Sequence, residues 1–194
     1  MVIDRVKVIS DLSQLTVSGN SDGLIPSYGV LLQQLPASFW NTFSERMLQA
    51  ATGDLRQAAE VLLENAAAEC GYHTGHGIVN SKEFEAVVAP MIDSHPEDML
   101  HGLYCVFSSW GWADASIVDL DPGHRMVVHA RDYYEADILS ASAPCAFMIR
   151  GVSRAFMDLA YGAPYPDGLG RYKCTQTMGI EVGDPHGEFV VTPL

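Results

Sequence analysis

Apolar residues recur three or four positions apart in five segments of the chain, which is the pattern of helices with one apolar face. The first segment follows Pro36, with Ser38 as the expected N-cap. The second opens at Asp54, and we expect it to end at Gly71 because glycine is common just past a helix C-terminus. The other three helices are predicted to start at Ser81, at Pro96 and just after Pro144.

The first two predicted helices each carry their apolar residues on one face. These faces consist of Phe39, Trp40, Phe43 and Met47 in the first helix and of Leu55, Ala58, Leu62 and Ala66 in the second. In the fifth predicted helix, Gly151 and Ala155 have little or no side chain, so another backbone or a ligand could approach the helix closely there.

Further along the chain the apolar period changes to two, which indicates strands. Residues 115–120 and 125–130 are predicted strands of a hairpin, because the sequence DPGH between them has the right turn residues. A second hairpin is predicted to join 171–182 to 188–193 through the turn GDPHG. Antiparallel hairpins with helices packed on one face of their sheet define an α+β fold.

Length and composition favour one globular domain with an appendage. The chain has 194 residues, of which 48% are apolar and only 18% charged, so its own core can support the fold without disulfides. Residues 1–35 mix short apolar runs with turn residues, and we predict an N-terminal arm of small strands and loops there. The domain itself is predicted to span residues 36–194.

The charge of the chain excludes several classes of partner. The formal net charge is -13, and no cluster of Lys and Arg could attract a nucleic acid or an anionic lipid surface. No segment approaches the ~20 apolar residues of a membrane-spanning helix. The first residues also lack the apolar run of a signal peptide, so we expect a cytoplasmic protein.

Motifs for catalysis are few. The sequence contains no Gly-rich dinucleotide or phosphate loop, no nucleophile elbow and no zinc-protease motif. His73 and His76 could hold a metal, but two histidines among glycines are more ordinary at a helix end or turn. Cys145 begins a predicted helix, where a thiol could be activated as a nucleophile or ligand, although a lone cysteine is more often a core residue.

An aromatic-rich set of residues is the main candidate for binding chemistry. Such a set is commonly plain core, but ligand pockets are also apolar with a few convergent polar groups. The candidate ligand-binding residues are His101, Tyr104, Phe107, Trp110, Trp112, His129, Tyr133, Tyr134, Phe147 and Phe156.

Several short motifs resemble a known family. The run from Leu103 to Ile138 (LYCVFSSWGWADASIVDLDPGHRMVVHARDYYEADI), then APCAFMIRG and GDPHGEFVV, is similar to the 4-vinyl reductase domain family, which includes proteins linked to bacteriochlorophyll synthesis. Through ECGYHTG, YEADI and APC the chain also resembles the phenol-sensing domains of aromatic-responsive transcription activators. The resemblance covers about residues 54–192.

This resemblance implies an α+β fold related to trafficking-complex small subunits, a homodimer, and a buried pocket for a small hydrophobic or aromatic molecule. The ligand-contacting tryptophan of the phenol sensors falls near Ala130, so the resemblance implies a specificity other than phenol.

The resemblance also implies a structural zinc site, held by a cysteine before a helix, a Glu-x-x-Cys pair and a final cysteine after a turn. Cys145 matches the first ligand, but Gln176, Gly179 and Gly187 stand at the other three positions. We therefore expect no cofactor, because zinc needs about four donors. In a minority hypothesis Cys145, Cys174 and His186 bind zinc as substitute ligands.

The sequence supports three functional hypotheses. The first is a dimeric binding module that encloses an aromatic or tetrapyrrole-like ligand and acts as a sensor, carrier or accessory factor. The alternative is an enzyme or enzyme subunit of tetrapyrrole or aromatic metabolism, although vinyl reduction needs a hydride source for which the sequence offers no nucleotide-binding signature. The third is a scaffold whose dimer surface is its function.

Overall fold

The computed structural model describes residues 3–93, 95–137 and 141–194. Its helices are α1 (Arg5–Ser13), α2 (Ala37–Ala50), α3 (Asp54–Val79), α4 (Lys82–Val87), α5 (Pro96–Ser109) and α6 (Phe147–Tyr161). Its strands are β1 (Ile25–Ser27), β2 (Val30–Leu32), β3 (Ala113–Asp121), β4 (Arg125–Tyr133), β5 (Tyr172–Met178) and β6 (Gly187–Pro193). None of the helices in these ranges combines the length and apolarity needed to cross a bilayer.

The predicted α+β class is confirmed. Strands β3 to β6 form one antiparallel sheet in the order β3-β4-β6-β5, so that the two predicted hairpins meet through β4 and β6. The β3–β4 turn places Gly123 at a φ of 75°, a conformation that glycine adopts without steric cost. The turn chemistry of DPGH was therefore sufficient to locate this hairpin.

One face of the four-stranded sheet packs on the core. Along β6, Phe189 and Val191 are fully buried, while the alternating residues Glu188, Val190 and Thr192 are only partly buried. This alternation is expected for a strand with one covered face, and α5 and α6 pack against the sheet. We call the covered side the inner face and the opposite side the outer face.

Helices α3 and α6 lie unusually close together because small residues meet where they contact each other. A Cβ atom added at Gly151 would come within 2.3 Å of the Glu64 carbonyl oxygen on α3. A Cβ atom at Gly71 would come within 3.1 Å of the Cα atom of Val152. The prediction that α3 ends at Gly71 was wrong: this glycine is a contact position inside the helix, which continues to Val79.

The N-terminal segment also differs from the prediction. Residues 5–13 form α1 rather than a strand, with the Asp4 carboxylate accepting a hydrogen bond from the Lys7 amide as an N-cap. Val8 and Leu12, one helical turn apart, are both buried in the core. The short β1–β2 hairpin agrees with the predicted small strands. A domain boundary at residue 35 stays a prediction.

The apolar faces predicted for the first two helices are only partly covered. Phe39 and Phe43 on α2 are each 46% exposed, and Leu55 and Leu62 on α3 are 67% and 56% exposed. The predicted caps also differ, since α2 starts after Pro36 and α3 after Gly53, neither with a side-chain cap. Phe39, Phe43, Leu55 and Leu62 therefore form an exposed apolar patch, which we call the α2–α3 surface.

Candidate ligand-binding site

Five of the predicted ligand-binding residues form one connected aromatic cluster: Tyr104, Phe107, Trp112, Tyr134 and Phe156. The Phe107 ring stacks on Trp112 at 5.7 Å between centroids and meets Phe156 edge-on at 6.2 Å. Tyr104 meets Phe156 edge-on at 5.4 Å, and Trp112 meets Tyr134 edge-on at 5.4 Å. These separations are typical of favourable aromatic pairs.

The cluster runs from the buried core towards the surface. Tyr104 and Phe156 are buried, whereas Trp112 and Tyr134 are partly buried and line a groove. The groove has a volume of about 600 Å³ and lies between α1 and one end of the β3–β4 hairpin. It is lined by Arg5, Val6, Ile9, Ser108, Gly111, Trp112, Ala113, Asp114, Asp132, Tyr133, Tyr134 and Asp137.

Polar side chains hold the α1 wall of this groove. The Arg5 guanidinium donates to the Asp114 carboxylate at 2.8 Å and to the Ser108 hydroxyl at 3.0 Å. Arg131 contacts the other oxygen of Asp114 at 2.9 Å. Burial acts to raise the pKa of Asp114, but hydrogen bonds from Arg131 and Arg5 outweigh it and lower the pKa. The wall therefore carries a paired carboxylate at neutral pH.

Two tyrosine hydroxyls of the cluster differ in their partners. The Tyr104 hydroxyl donates to Ser153 Oγ at 2.9 Å, and burial raises its pKa, so it stays protonated. The Tyr134 hydroxyl is buried and has no hydrogen-bond partner among the residues that the structure describes. A buried donor without a partner is costly, by about 1–3 kcal/mol.

The other predicted residues lie outside the aromatic cluster, although Tyr133 also lines the groove. Trp110 packs edge-on against Tyr28 at 5.0 Å, and Phe147 lies under the Arg150 guanidinium, 4.7 Å from the ring centroid. Burial lowers the pKa of the partly covered His101. His129 sits beside Glu188, and Tyr133 faces Phe189 and Glu181. The predicted ligand-binding residues therefore lie in several different environments.

The start of α6 is held by a network of polar side chains next to the cluster. The Glu181 carboxylate accepts hydrogen bonds from the Cys145 amide at 2.8 Å, from the Gln176 side chain at 2.8 Å and from the Tyr133 hydroxyl. Gln176 in turn accepts from the Ala146 amide at 2.9 Å. These contacts join the end of β4, strand β5 and the segment before α6.

Glu135 contacts the N-terminus of the same helix, α6. It is 1% exposed, and its two oxygens accept from the Met148 and Ile149 amides, each at 3.0 Å. A carboxylate at a helix N-terminus satisfies unpaired amides and favours the helix dipole. Burial nevertheless raises the pKa of Glu135 to about 8, against the opposing effect of these two hydrogen bonds.

The residues at the four zinc positions implied by the family resemblance do not fit a zinc ion. A Cβ atom at Gly179 would meet the Glu181 carboxyl group at 2.8 Å, and one at Gly187 would meet the Tyr133 ring at 2.7 Å. The space of two cysteine side chains is therefore already filled. Burial and the nearby Glu181 and Glu135 carboxylates raise the pKa of the Cys145 thiol to about 12, the opposite of an activated thiol.

The substitute set Cys145, Cys174 and His186 is not brought together. Cys174 is buried on the inner face of β5, whereas His186 contacts His129 on the outer face of the sheet. The sheet separates them, so one ion could not reach both side chains. The minority hypothesis is therefore not supported by the geometry.

His73 and His76 of α3 both contact Tyr165 in a neighbouring loop. The His73 imidazole hydrogen-bonds the Tyr165 hydroxyl at 2.9 Å, and the His76 ring stacks on the Tyr165 ring at 3.7 Å. Both histidines belong to α3, and His76 lies in its last turn, as the helix-end interpretation predicts. Contacts with this loop therefore explain the positions of both imidazole rings.

Sequence reasoning did not single out Arg5, Asp114, Glu135 or Glu181. Most of their partners lie 13 to 110 positions away in the chain, and an isolated charge in a sequence gives no sign of such a partner. Glu135 was part of the motif YEADI, but its contact with the amides of α6 depends on the tertiary fold.

Comparisons with known proteins place this geometry in context. No family profile and no curated protein sequence matches the chain. Among solved structures, the chain is similar to the phenol-responsive sensory domain of the transcription activator PoxR with phenol, at 15% identity and a TM-score of 0.73, over 100% of this chain and 92% of that one. The chain shares the fold of this sensory domain.

Two further structures are similar to the chain. One is a trafficking protein particle complex subunit 3 from Naegleria fowleri covalently bound to palmitic acid, at 14% identity and a TM-score of 0.57, over 81% of this chain and 92% of that one. The other is a vinyl-4-reductase family protein from Methanocaldococcus jannaschii, at 11% identity and a TM-score of 0.48, over 84% of each chain. The similarities to the sensory domain and to the trafficking subunit confirm the fold relationship that the sequence motifs imply.

Proposed function

We propose that this protein is a binding module that holds a small hydrophobic molecule with an aromatic ring, and acts as a sensor or carrier. The observation that carries this proposal is the aromatic cluster, which extends from the core to the wall of an open groove. Ligand sites are commonly apolar with a small number of placed polar groups. The Trp112 and Tyr134 rings provide the apolar surface, and the Arg5–Asp114 pair provides the polar groups.

The solved relatives support the class of ligand and not its identity. The sensory domain of similar fold was solved with phenol, and the trafficking subunit of similar fold was bound to palmitic acid. In this chain Ala130 pairs with Ala115 and Gly187 in a row of small residues across the sheet. Because no large side chain stands at position 130, we propose a ligand other than phenol itself.

The enzyme alternative has less support. A catalytic thiol or phenol needs a lowered pKa, yet burial raises the pKa of both Cys145 and Tyr133. The polar network around Glu181 is instead a structural connection between β4, β5 and α6.

Replacing Trp112 by leucine should weaken ligand binding at least about tenfold, corresponding to about 1.4 kcal/mol of lost stacking and burial. The test is a calorimetric and fluorescence titration of the full chain with phenols, larger aromatic molecules, a tetrapyrrole and a fatty acid. Trp110→Leu is the matched control, because Trp110 packs on Tyr28 outside the cluster. Equal affinities of the two variants, or no binding by any member of the panel, would contradict the proposal.

We also propose a homodimer formed through the α2–α3 surface. Phe39, Phe43, Leu55 and Leu62 are exposed there, and Leu55 and Leu62 line a depression of about 440 Å³. Exposed apolar patches mark association surfaces. Leu62→Glu should convert the dimer to a monomer in sedimentation velocity. Val118→Glu is the control, since Val118 is similarly exposed at 51% on β3. A wild-type chain that is monomeric at all concentrations would refute this proposal.

A further inference from the structure

A second cluster of side chains lies on the outer face of the sheet, away from the aromatic cluster. His129 on β4 is directly opposite Glu188 on β6, and His186 precedes Glu188 by two residues. The paired residues His129 and Glu188 project from the same face of the sheet. His186 lies in the turn just before β6, and its ring contacts the His129 ring on that face. Their neighbours along the strands, Val128 and Phe189, are buried on the inner face.

The three side chains lie within contact of one another. His129 Nε2 is 3.0 Å from Glu188 Oε2, and the His129 and His186 ring centroids are 4.2 Å apart. One donor atom from each residue can be chosen so that all three lie within 4.8 Å of one another. Ligands about 2.1 Å from a tetrahedral ion are about 3.4 Å apart, so small side-chain rotations would bring these atoms into coordination.

One nitrogen of this cluster has no protein partner. His186 Nε2 is buried and makes no hydrogen bond with any residue that the structure describes. A buried ring nitrogen without a partner is a penalty that a bound ion would remove. This observation is independent of the spacing of the three donors, and it also points to a ligand.

The Glu188 carboxylate is held in place by Thr177 on β5. The Thr177 hydroxyl donates to Glu188 Oε1 at 2.6 Å, which leaves Glu188 Oε2 directed towards His129. An outer contact that orients a ligand in this way is typical of metal sites in proteins.

We propose that His129, His186 and Glu188 bind a divalent transition-metal ion of the zinc type on the outer face of the sheet. Two imidazole nitrogens and one carboxylate oxygen are donors that Zn²⁺ accepts, with water completing the coordination. The ion would join β4 to β6. This site shares no residue with the zinc positions implied by the family resemblance, and it does not depend on the proposed ligand-binding function.

The test is a titration of the full chain, prepared without a polyhistidine tag and stripped of metal, with Zn²⁺ by calorimetry and with Co²⁺ by visible absorption. We expect one ion per chain and a melting temperature that rises with Zn²⁺ concentration. His186→Ala and His129→Ala should each weaken binding by about 100-fold or more. Thr177→Val should weaken it by about 10- to 100-fold, as for other contacts behind a ligand.

Controls separate this site from other histidines and cysteines. The double substitution of His73 and His76 by alanine should leave Zn²⁺ affinity unchanged, and so should Cys145→Ser. If His186→Ala does not fold, His186→Gln in the same titration removes the ligand with less change in volume. Absence of stoichiometric binding at micromolar Zn²⁺, unchanged affinity in the His186 variants, or loss of binding in Cys145→Ser would overturn the proposal.

Discussion

Gly151→Ala should destabilise the protein by about 3 kcal/mol or more, because a side chain there would force two helices apart. The added Cβ atom would lie 2.3 Å from the Glu64 carbonyl oxygen, 2.7 Å from Ala67 Cβ and 2.9 Å from the Ala68 amide nitrogen. Two of these contacts are with backbone atoms of α3, which cannot rotate away. Since a small domain is stable by only about 5–15 kcal/mol, the loss is a large fraction of the total.

A second glycine of the same interface provides the control. A Cβ atom at Gly75 would meet only side-chain atoms, Leu159 Cδ2 at 3.2 Å and Phe156 Cε1 at 3.3 Å. Alanine is favoured over glycine inside a helix by about 1 kcal/mol, so Gly75→Ala should change stability little. Urea unfolding of both variants measures the difference. Similar free energies of unfolding for the two variants would show that α3 and α6 adjust to a methyl group at either position.

Glu135 should make the protein less stable as the pH rises from about 5 to above 8. Its pKa is about 8 in the folded chain against an ordinary value of 4.5, so between these values the folded state holds a proton that the unfolded state releases. Stability falls with pH wherever the folded state binds more protons. Each pKa unit corresponds to about 1.4 kcal/mol, so the fall amounts to a few kcal/mol.

Glu135→Gln should remove this part of the pH dependence. The glutamine amide cannot ionise. The free energy of unfolding of the variant should therefore be closest to that of the parent at pH 5, and it should gain on the parent value as the pH rises to 9. Glu69→Gln removes the same charge from an exposed position on α3 and is the control. The measurement is the free energy of unfolding in urea across this pH range. Parallel curves for the parent and Glu135→Gln would show that the buried carboxyl group does not titrate there.

Local sequence chemistry was sufficient for much of the fold. The β3–β4 hairpin followed from turn residues and a period of two, and α5 and α6 followed from their apolar stripes and nearby prolines. The end of α3 did not follow, because Gly71 looks the same in sequence whether it ends a helix or admits a neighbouring one. Helix α1 was missed because VKVIS suits a strand until Val8 and Leu12 have a core to pack on.

The candidate sites depended more strongly on tertiary structure. Residue type alone suggested Trp110 and Trp112 equally, and only the fold shows that Trp112 joins the aromatic cluster. The outer-face cluster could not be predicted either. His186 and Glu188 are two residues apart, but the third member, His129, is 57 positions before His186 and is located only by the β4–β6 register.

The hydrogen bond from the Asn41 side chain to the Tyr134 carbonyl oxygen, at 2.8 Å, connects two proposed surfaces. Asn41 belongs to α2, which carries the exposed phenylalanines, and Tyr134 lines the groove. This bond is a direct contact through which a shift of Tyr134 on ligand binding could reach α2, and the reverse. Thermodynamic reciprocity then requires that the ligand alter dimer affinity by the same factor by which dimerisation alters ligand affinity.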